Sequence, residues 1–253
     1  MDSLPLCCVK PDPERSVSSI PPHTSSEYEQ LLNEARDRVL ELGVRVERQV
    51  VDAIESLGSG SQALIDQIVR HESAINALEL RIDGLCGQII ARRQPAASDL
   101  RLLMMLIKAT TDMERIGDEA KKIALYARHL FDNGRALLPR YVEIRRISQM
   151  VLVMLRTSLA AIETMQAEGT ADMAQRDLEV DEAFRGVLRQ LITYMIEDPR
   201  TISAALDIVF VAKALERIGD HAKNISEQVI YAVKGADVRH VSAAEFERSA
   251  IGS

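Results

Sequence analysis

Two acidic residues four positions apart occur twice in this sequence, inside a ten-residue block that is itself repeated. Residues 114–123 read Glu-Arg-Ile-Gly-Asp-Glu-Ala-Lys-Lys-Ile, and residues 216–225 read Glu-Arg-Ile-Gly-Asp-His-Ala-Lys-Asn-Ile, so eight of the ten positions agree at an offset of 102. Residues four apart on a helix share one face, where two carboxylates repel each other. A cation between the carboxylates would relieve this repulsion in each pair, Glu114 with Asp118 and Glu216 with Asp220.

Further acidic residues lie in the segment that precedes each block. Before the first block these are Glu72, Glu79 and Asp83, together with Asn76, and before the second they are Asp177, Asp181 and Glu182. Facing helices with inward carboxylates build metal sites in helical bundles. Oxygen ligands favour Mg²⁺, Mn²⁺, Ca²⁺ or iron over zinc and copper. The pattern predicts an oxygen-ligated metal site of unknown metal identity.

Ion pairing within the protein is the alternative interpretation of the same carboxylates. Arg115, Lys121 and Lys122 can neutralise Glu114 and Asp118, and Asp118 with Lys122 is an i, i+4 pair. Charged groups near a bundle seam must be paired or must coordinate something, so both interpretations stay open. An interior glycine in each block, Gly117 and Gly219, indicates close approach by a neighbouring helix or a ligand, and His221 is interpreted as structural.

The repeated blocks lie on long helices. Proline and glycine divide the chain into six segments with apolar residues every three or four positions: 27–57, 61–93, 98–132, 139–167, 171–196 and 200–234. Short connections predict antiparallel neighbours in a bundle. We therefore expect an all-α fold of two tandem three-helix bundles, with a repeated block in the third helix of each. The predicted divisions are a disordered Pro- and Ser-rich tail, two bundles and a C-terminal tail: 1–26, 27–134, 139–236 and 237–253.

Composition excludes several classes of protein. The 253 residues include no Trp and only 4% aromatics, which argues against an all-β fold, and the net charge of −7 argues against a basic nucleic-acid surface. Three cysteines give no disulfide framework, and no window of about 18 apolar residues predicts a transmembrane helix. The P-loop, dinucleotide, Gly-x-Ser-x-Gly and Glu-x-x-His signatures are absent. A non-enzyme is predicted, with a carboxylate-bridged metalloenzyme as the remaining enzymatic alternative.

With Glu-Arg-Ile-Gly-Asp-x-Ala-Lys in the third helix of each half, residues 27–236 resemble the PhoU family of phosphate-signalling proteins. The resemblance implies a cytoplasmic negative regulator of phosphate uptake and of the phosphate-starvation response. It implies an adaptor between the ATPase subunit of the phosphate ABC transporter and a sensor histidine kinase, often a homodimer. No nucleic-acid partner and no direct membrane insertion are expected.

The resemblance also implies metal ions, iron or zinc clusters or other divalent ions, at the Glu/Asp-x-x-x-Asp motifs. Its motif positions are Glu114 and Asp118 in the first half and Glu216 and Asp220 in the second. The acidic second-helix pattern falls on Asp177 and Asp181, and its first-half counterpart on Glu72 and Asn76. Because Asn76 supplies no anionic ligand, the first site is expected to be weaker or differently composed.

Overall fold

A computed structural model describes residues 26–132 and 141–252, and within these ranges the regular structure is entirely helical. Two short 3-10 helices, Glu168–Thr170 and Pro199–Thr201, join longer elements. The α-helices are α1 Ser26–Ser59, α2 Gln62–Arg93, α3 Ala97–Asp132, α4 Tyr141–Thr164, α5 Met173–Glu197, α6 Ile202–Lys234 and α7 Ala243–Ile251. The six predicted long helices are confirmed. The predicted N-terminal tail, apart from Ser26, and the helix start at Pro139 lie outside the described residues.

Local chemistry sets the helix boundaries. Ser61 caps α2 by accepting a hydrogen bond from the backbone N–H of Leu64, and α2 ends at Gln94 in the left-handed conformation, directly before Pro95. Gly235, with φ of 73°, ends α6 in the same way. The fourth helix is shorter than the sequence predicts, because Met165 takes a φ of 53° and stops it before the expected end at residue 167.

The two repeated blocks face each other in the middle of the molecule, because α3 packs against α6 in antiparallel orientation. The ring of Tyr126, late in α3, stacks on the ring of Phe210, early in α6, with centroids 5.3 Å apart. Further along, the Asn224 side-chain amide donates to Asp112 at 3.4 Å. The two predicted three-helix bundles thus share one continuous core.

The two halves also contact each other through α1 and α4, in addition to the contact between the motif helices α3 and α6. Arg156 of α4 binds Glu47 of α1 at 2.7 Å. The helices also approach closely at Gly43, where an added Cβ would lie 2.7 Å from Cδ2 of Leu159. A larger residue at position 43 would force Leu159 or the α4 backbone to move.

One helix in the described part of the chain, Val142–Thr164, is long and apolar enough to cross a membrane by length and composition, with a mean hydropathy of 1.2. In this fold its apolar side is the core of the second bundle: Ile147, Val151 and Met154 are fully buried. Burial inside the bundle therefore accounts for the apolar composition of α4.

The segment predicted as a C-terminal tail contains a further helix. Ser242 and Glu245 form a reciprocal capping box at the start of α7. Phe246 is 1% exposed and Ala250 is fully buried, where α7 packs on α5, α6 and the 3-10 helix Glu168–Thr170. This apolar contact attaches the C-terminal segment to the second bundle.

Candidate functional site

Four carboxylates gather between α2 and α3, and we call them the first cluster: Glu79, Asp83, Glu114 and Asp118. Burial raises the pKa of Glu79, and the neighbouring charges of Glu114, Asp83 and Asp118 raise it further. The pKa of Glu114 is also raised, by burial and then by Asp118, against an opposing effect of Arg115. Burial raises the pKa of Asp83 as well. The charges in this cluster repel one another, so they favour protonation or a cation.

Two of the predicted ligands in the first half lie beside this cluster. Glu72 forms an ion pair with Lys121 of α3, so its charge is already neutralised. Oδ1 of Asn76 is buried and has no hydrogen bond to any residue that the structure describes. Glu72 still raises the pKa of Glu114, but the α2 carboxylate that interacts with both Glu114 and Asp118 is Glu79, seven residues beyond Glu72. The sequence carries a signal for it, since Glu79 and Asp83 form a Glu-x-x-x-Asp pair of their own.

The second cluster lies between α5 and α6 and contains three of the four residues predicted for that half: Asp177, Glu216 and Asp220. Burial, followed by the charges of Glu216 and Asp177, raises the pKa of Asp220 from 3.8 to about 6. Glu216 is 8% exposed, and its Oε2 is buried with no hydrogen bond from the described part of the chain. The side chain of Asp181 is more open and lies 3.6 Å from Arg185.

Lysine side chains neutralise part of the second cluster. Nζ of Lys213 lies 2.6 Å from Oε1 of Glu216, and Nζ of Lys223 lies 2.8 Å from Oδ2 of Asp177. The ammonium group of Lys213 also sits 5.5 Å from the centre of the Phe184 ring, a favourable cation–π position. Glu216 and Asp177 therefore each have an internal cation.

The repeat explains why the clusters differ. The equivalent lysines Lys121 and Lys223 bind Glu72 and Asp177, which places these two carboxylates at corresponding positions. Seven residues beyond each, α2 carries Glu79 whereas α5 carries Phe184. The first cluster thus has an additional carboxylate where the second has an aromatic ring under a lysine.

The ligand types of both clusters suit a hard divalent cation, because all the donors are oxygen atoms. The arrangement is open: in the described residues no group of three or more His, Cys, Asp or Glu side chains is placed to hold a metal ion. Side chains of the first cluster would have to rotate to enclose one. The orphaned Oε2 of Glu216 is a buried acceptor that a metal, a proton or a water molecule could satisfy.

Polar contacts across the α3–α6 seam separate the two clusters. Glu119, 3% exposed, binds both Lys122 and Arg217 at 3.0 Å. The expected Asp118–Lys122 pair is therefore wrong, since Lys122 turns to the carboxylate one residue further along. Nδ1 of His221 lies 2.9 Å from Oδ1 of Asp112, a partly buried contact between the two halves that fits the structural interpretation of this histidine.

The glycines of the two blocks face the bundle interiors. A Cβ on Gly117 would lie 3.4 Å from Cδ1 of Ile75, and one on Gly219 would lie 3.6 Å from Cγ2 of Val151. Neighbouring helices therefore approach both positions, as the sequence predicts, but the distances are near ordinary van der Waals contact. Neither position excludes a methyl group.

Comparison with known proteins identifies relatives over most of the chain. The model of the PhoU domain matches residues 39–127 and 144–229. The chain is 46% identical over 224 residues to the phosphate-specific transport system accessory protein PhoU homolog of Pseudomonas putida, covering 88% of this chain and 87% of that protein.

Solved structures of similar proteins share the fold. A crystal structure of PhoU from Pseudomonas aeruginosa is 44% identical, with a TM-score of 0.80 over 83% of this chain and all of that one. The phosphate transport system regulatory protein PhoU from Streptococcus pneumoniae is 26% identical, with a TM-score of 0.76 over 83% of this chain and 99% of the other. Both the sequence and the helical architecture are thus similar to proteins associated with phosphate transport.

Proposed function

Because the chain belongs to the PhoU family, we propose that it is an accessory protein of a phosphate-specific transport system that represses phosphate uptake and the phosphate-starvation response. The observation that carries this proposal is the match of both repeats, at 46% identity, to a phosphate transport accessory protein. The relatives are described as accessory or regulatory proteins, which favours regulation by binding over catalysis.

In the proposed mechanism the chain is a cytoplasmic adaptor between the ATPase subunit of the phosphate ABC transporter and a sensor histidine kinase. Regulation is then a binding equilibrium, in which the adaptor has different affinities for different states of the transporter and shifts the kinase output accordingly. The long exposed helix surfaces offer the contact area, and a homodimer would double it.

The regulatory proposal is tested in cells by deleting the gene. Phosphate-starvation genes should then be expressed at high phosphate, because the repressing contact is missing. A starvation reporter that stays silent in the deletion strain would refute the regulatory role. Complementation with the full chain serves as the control for effects on neighbouring genes.

The adaptor step is tested by capturing the tagged full chain from cells grown at high and at low phosphate. The transporter ATPase subunit and the sensor kinase are the expected co-purified proteins, in amounts that change with phosphate supply. Recovery of neither protein under either condition would contradict the adaptor mechanism even if the deletion phenotype is as expected.

We further propose that a divalent metal binds at the motif carboxylates. In the first cluster Glu79, Glu114 and Asp118 would hold it, because they repel one another and pair with no lysine of the described residues. In the second half, Glu216, Asp220 and Asp177, together with Asp181 of the same helix as Asp177, would supply the oxygen donors. The metal would supply positive charge, while the carboxylates position it between facing helices.

Metal binding is measured by elemental analysis of protein purified without chelators and by Mn²⁺ titration. The combined variant Glu79→Gln, Glu114→Gln and Asp118→Asn should lose the metal of the first cluster. A control with Glu34→Gln and Glu41→Gln, two exposed α1 acids paired to Arg38 and Arg45, should keep it.

The same adaptor without a functional metal is the second candidate, and the lysine pairs of the second cluster favour it. Lys213 and Lys223 already supply the charge that a metal would bring to Glu216 and Asp177. Metal-free protein that represses normally, together with an unaffected triple carboxamide variant, would establish this alternative.

A further inference from the structure

Large apolar side chains are exposed along the hairpin of α5 and α6, on a surface that we call the hairpin face. Each of its five members is between 42% and 77% exposed: Ile192, Ile196, Ile202, Leu206 and Phe210. On each helix these residues follow one another at intervals of four, so they share one side of that helix. Single exposed apolar residues are ordinary, but a group of this kind marks an interaction surface.

Contacts around Phe210 and Lys213 bring the two stripes of the hairpin face together. Lys213 lies three residues after Phe210, and its Nζ sits 5.5 Å from the centre of the Phe184 ring of α5. Ile192 follows Phe184 by eight residues, about two helical turns. On the opposite side, the ring of Phe210 stacks on Tyr126 of α3. The hairpin face is therefore one surface, bordered by α3.

Both stripes continue into positively charged residues toward the middle of the molecule. On α5, Arg185 and Arg189 lie seven and three residues before the first isoleucine of the face. On α6, Lys213 and Arg217 lie three and seven residues after the phenylalanine. These intervals keep the cations on the same side of each helix as the apolar residues.

The cations of α6 are more exposed than the acids that they bind. The side chains of Lys213 and Arg217 are 47% and 44% exposed, whereas those of Glu216 and Glu119 are 11% and 4% exposed. The two arginines of α5 are 61% and 66% exposed, and both contact Glu182. A molecule lying on the hairpin face thus meets apolar side chains at one end and cations at the other.

The duplicated fold does not require this surface. We compared the first repeat at the corresponding positions, counted from the repeated blocks and from the equivalent lysine partners. Three of the five apolar positions hold Gly87, Ala91 and Lys108, and the other two hold Leu100 and Met104. The first repeat forms the same three helices without a bulky apolar residue at those three positions. Binding accounts for the exposed side chains of the second repeat better than packing does.

The charge pattern argues against a second copy of the chain as the occupant. In a twofold pair the same surface meets itself. The cations of the two copies would then either face each other or cover the partner's apolar residues. The first arrangement is repulsive, and the second buries charge without a partner. An occupant with apolar residues at one end and acidic residues at the other matches both ends of the face.

We propose that the hairpin face binds an amphipathic helix of a partner protein, which carries apolar residues at helical spacing and aspartate or glutamate residues one or two turns beyond them. The apolar residues pack on Ile196, Leu206 and Phe210, and the acids face Arg189 and the cations of α6. The proposal rests on the adaptor role proposed above and assigns a docking surface to one of its protein partners.

The test is site-specific photocrosslinking of the full chain in cells. Ile196 and Leu206 are replaced, one at a time, by p-benzoylphenylalanine, and the crosslinked peptides are sequenced by mass spectrometry. Both positions should crosslink to the same segment of another protein, with apolar residues every three or four positions and acids beyond them. Val44, which is 68% exposed on α1, is the control position and should not crosslink to that segment.

A charge reversal tests the cationic end of the face. Arg189→Glu should lower the crosslinking yield from position 206 at least fivefold, and Arg189→Gln should lower it less. Arg45→Glu, at an exposed and ion-paired arginine of α1, should leave the yield unchanged. Circular dichroism shows whether each variant keeps its helices, and the comparison uses those that do.

Four results would overturn the proposal: no crosslink from either position, a crosslink within the chain or to a second copy, a crosslinked segment without the stated pattern, or a yield unaffected by Arg189→Glu. If the transporter ATPase subunit and the sensor kinase still co-purify while no crosslink forms, the adaptor role stands and the docking surface is wrong. The expected segment in a protein unconnected with phosphate uptake would support the surface and count against the adaptor role.

Discussion

Asp220→Asn should stabilise the metal-free protein, although it removes a motif residue. The carboxyl group of Asp220 has a pKa of about 6 in the folded state, against an ordinary value of 3.8. A folded-state pKa above the unfolded one means that the native state holds its proton more tightly. The stabilisation is therefore complete below pH 3.8 and is lost as the pH rises through about 6.

The difference in pKa corresponds to about 3 kcal/mol at neutral pH. Asp220 is only half-buried, and solvent screens its interactions with Glu216 and Asp177, so we reduce the expected gain for Asp220→Asn to about 1–2 kcal/mol. In a chain of this size that gain raises the melting temperature by about 2–4 °C per kcal/mol.

The assay is urea denaturation of wild type and variant in chelator, at pH 7.5 and at pH 4. The gain should be present at pH 7.5 and close to zero at pH 4, where the Asp220 carboxyl is largely protonated and resembles the amide. Asp172→Asn is a matched control, because Asp172 is exposed and paired with Arg176 at 2.6 Å. It should lose a few tenths of a kcal/mol at pH 7.5. An Asp220→Asn variant that is neutral or less stable at pH 7.5 would refute the electrostatic reasoning.

Three further predictions concern packing and the seam. Gly219→Ala should raise the free energy of unfolding by about 0.5–1 kcal/mol in denaturant melts, because alanine favours the helix and its Cβ meets Val151 at an ordinary 3.6 Å; a loss would show that the neighbours cannot adjust. Phe246→Ala should abolish the hydrogen-exchange protection of α7 while the six long helices keep theirs, since Phe246 is the main buried side chain of α7; retained α7 protection would contradict this. In a double-mutant cycle of Glu119→Gln with Arg217→Met, the coupling should be about 0.5–1.5 kcal/mol, because Glu119 is buried and Arg217 is nearly half exposed; a coupling near zero would mean that the bridge does not hold the seam.

The helices of this protein are readable from its sequence, because proline and glycine mark their ends and apolar residues recur at helical spacing. The exception at the end of α4 has a local cause. The sequence points to Gly169 as the break, but the chain leaves the helix at Met165, which adopts a left-handed conformation. A residue without a special preference for that conformation gives no signal in the sequence.

The candidate site was only partly predictable, because the register between two helices is a tertiary property. Periodicity places Glu72 and Glu79 on the same helix but does not say which one lies opposite Glu114. Antiparallel packing of α2 on α3 puts Lys121 at Glu72 and leaves Glu79 with the motif carboxylates. Lys122 likewise pairs with Glu119 and not with Asp118, and the same carboxylate also binds Arg217 from the other half of the chain, a contact that local sequence does not reveal.

The antiparallel contact between α3 and α6 means that neither repeat's motif helix has an environment of its own. Each repeat presents its own acidic motif on the helix that the other repeat packs against, and Tyr126 with Phe210 and Glu119 with Arg217 fasten the pair. Because these contacts join the helices that carry the two clusters, we expect a shift of α3 at the first cluster to disturb the packing of α6, which carries the motif of the second. The duplicated sequence thus forms one helix pair that carries an acidic cluster on each side of its interface, so the two sites share a common structural support.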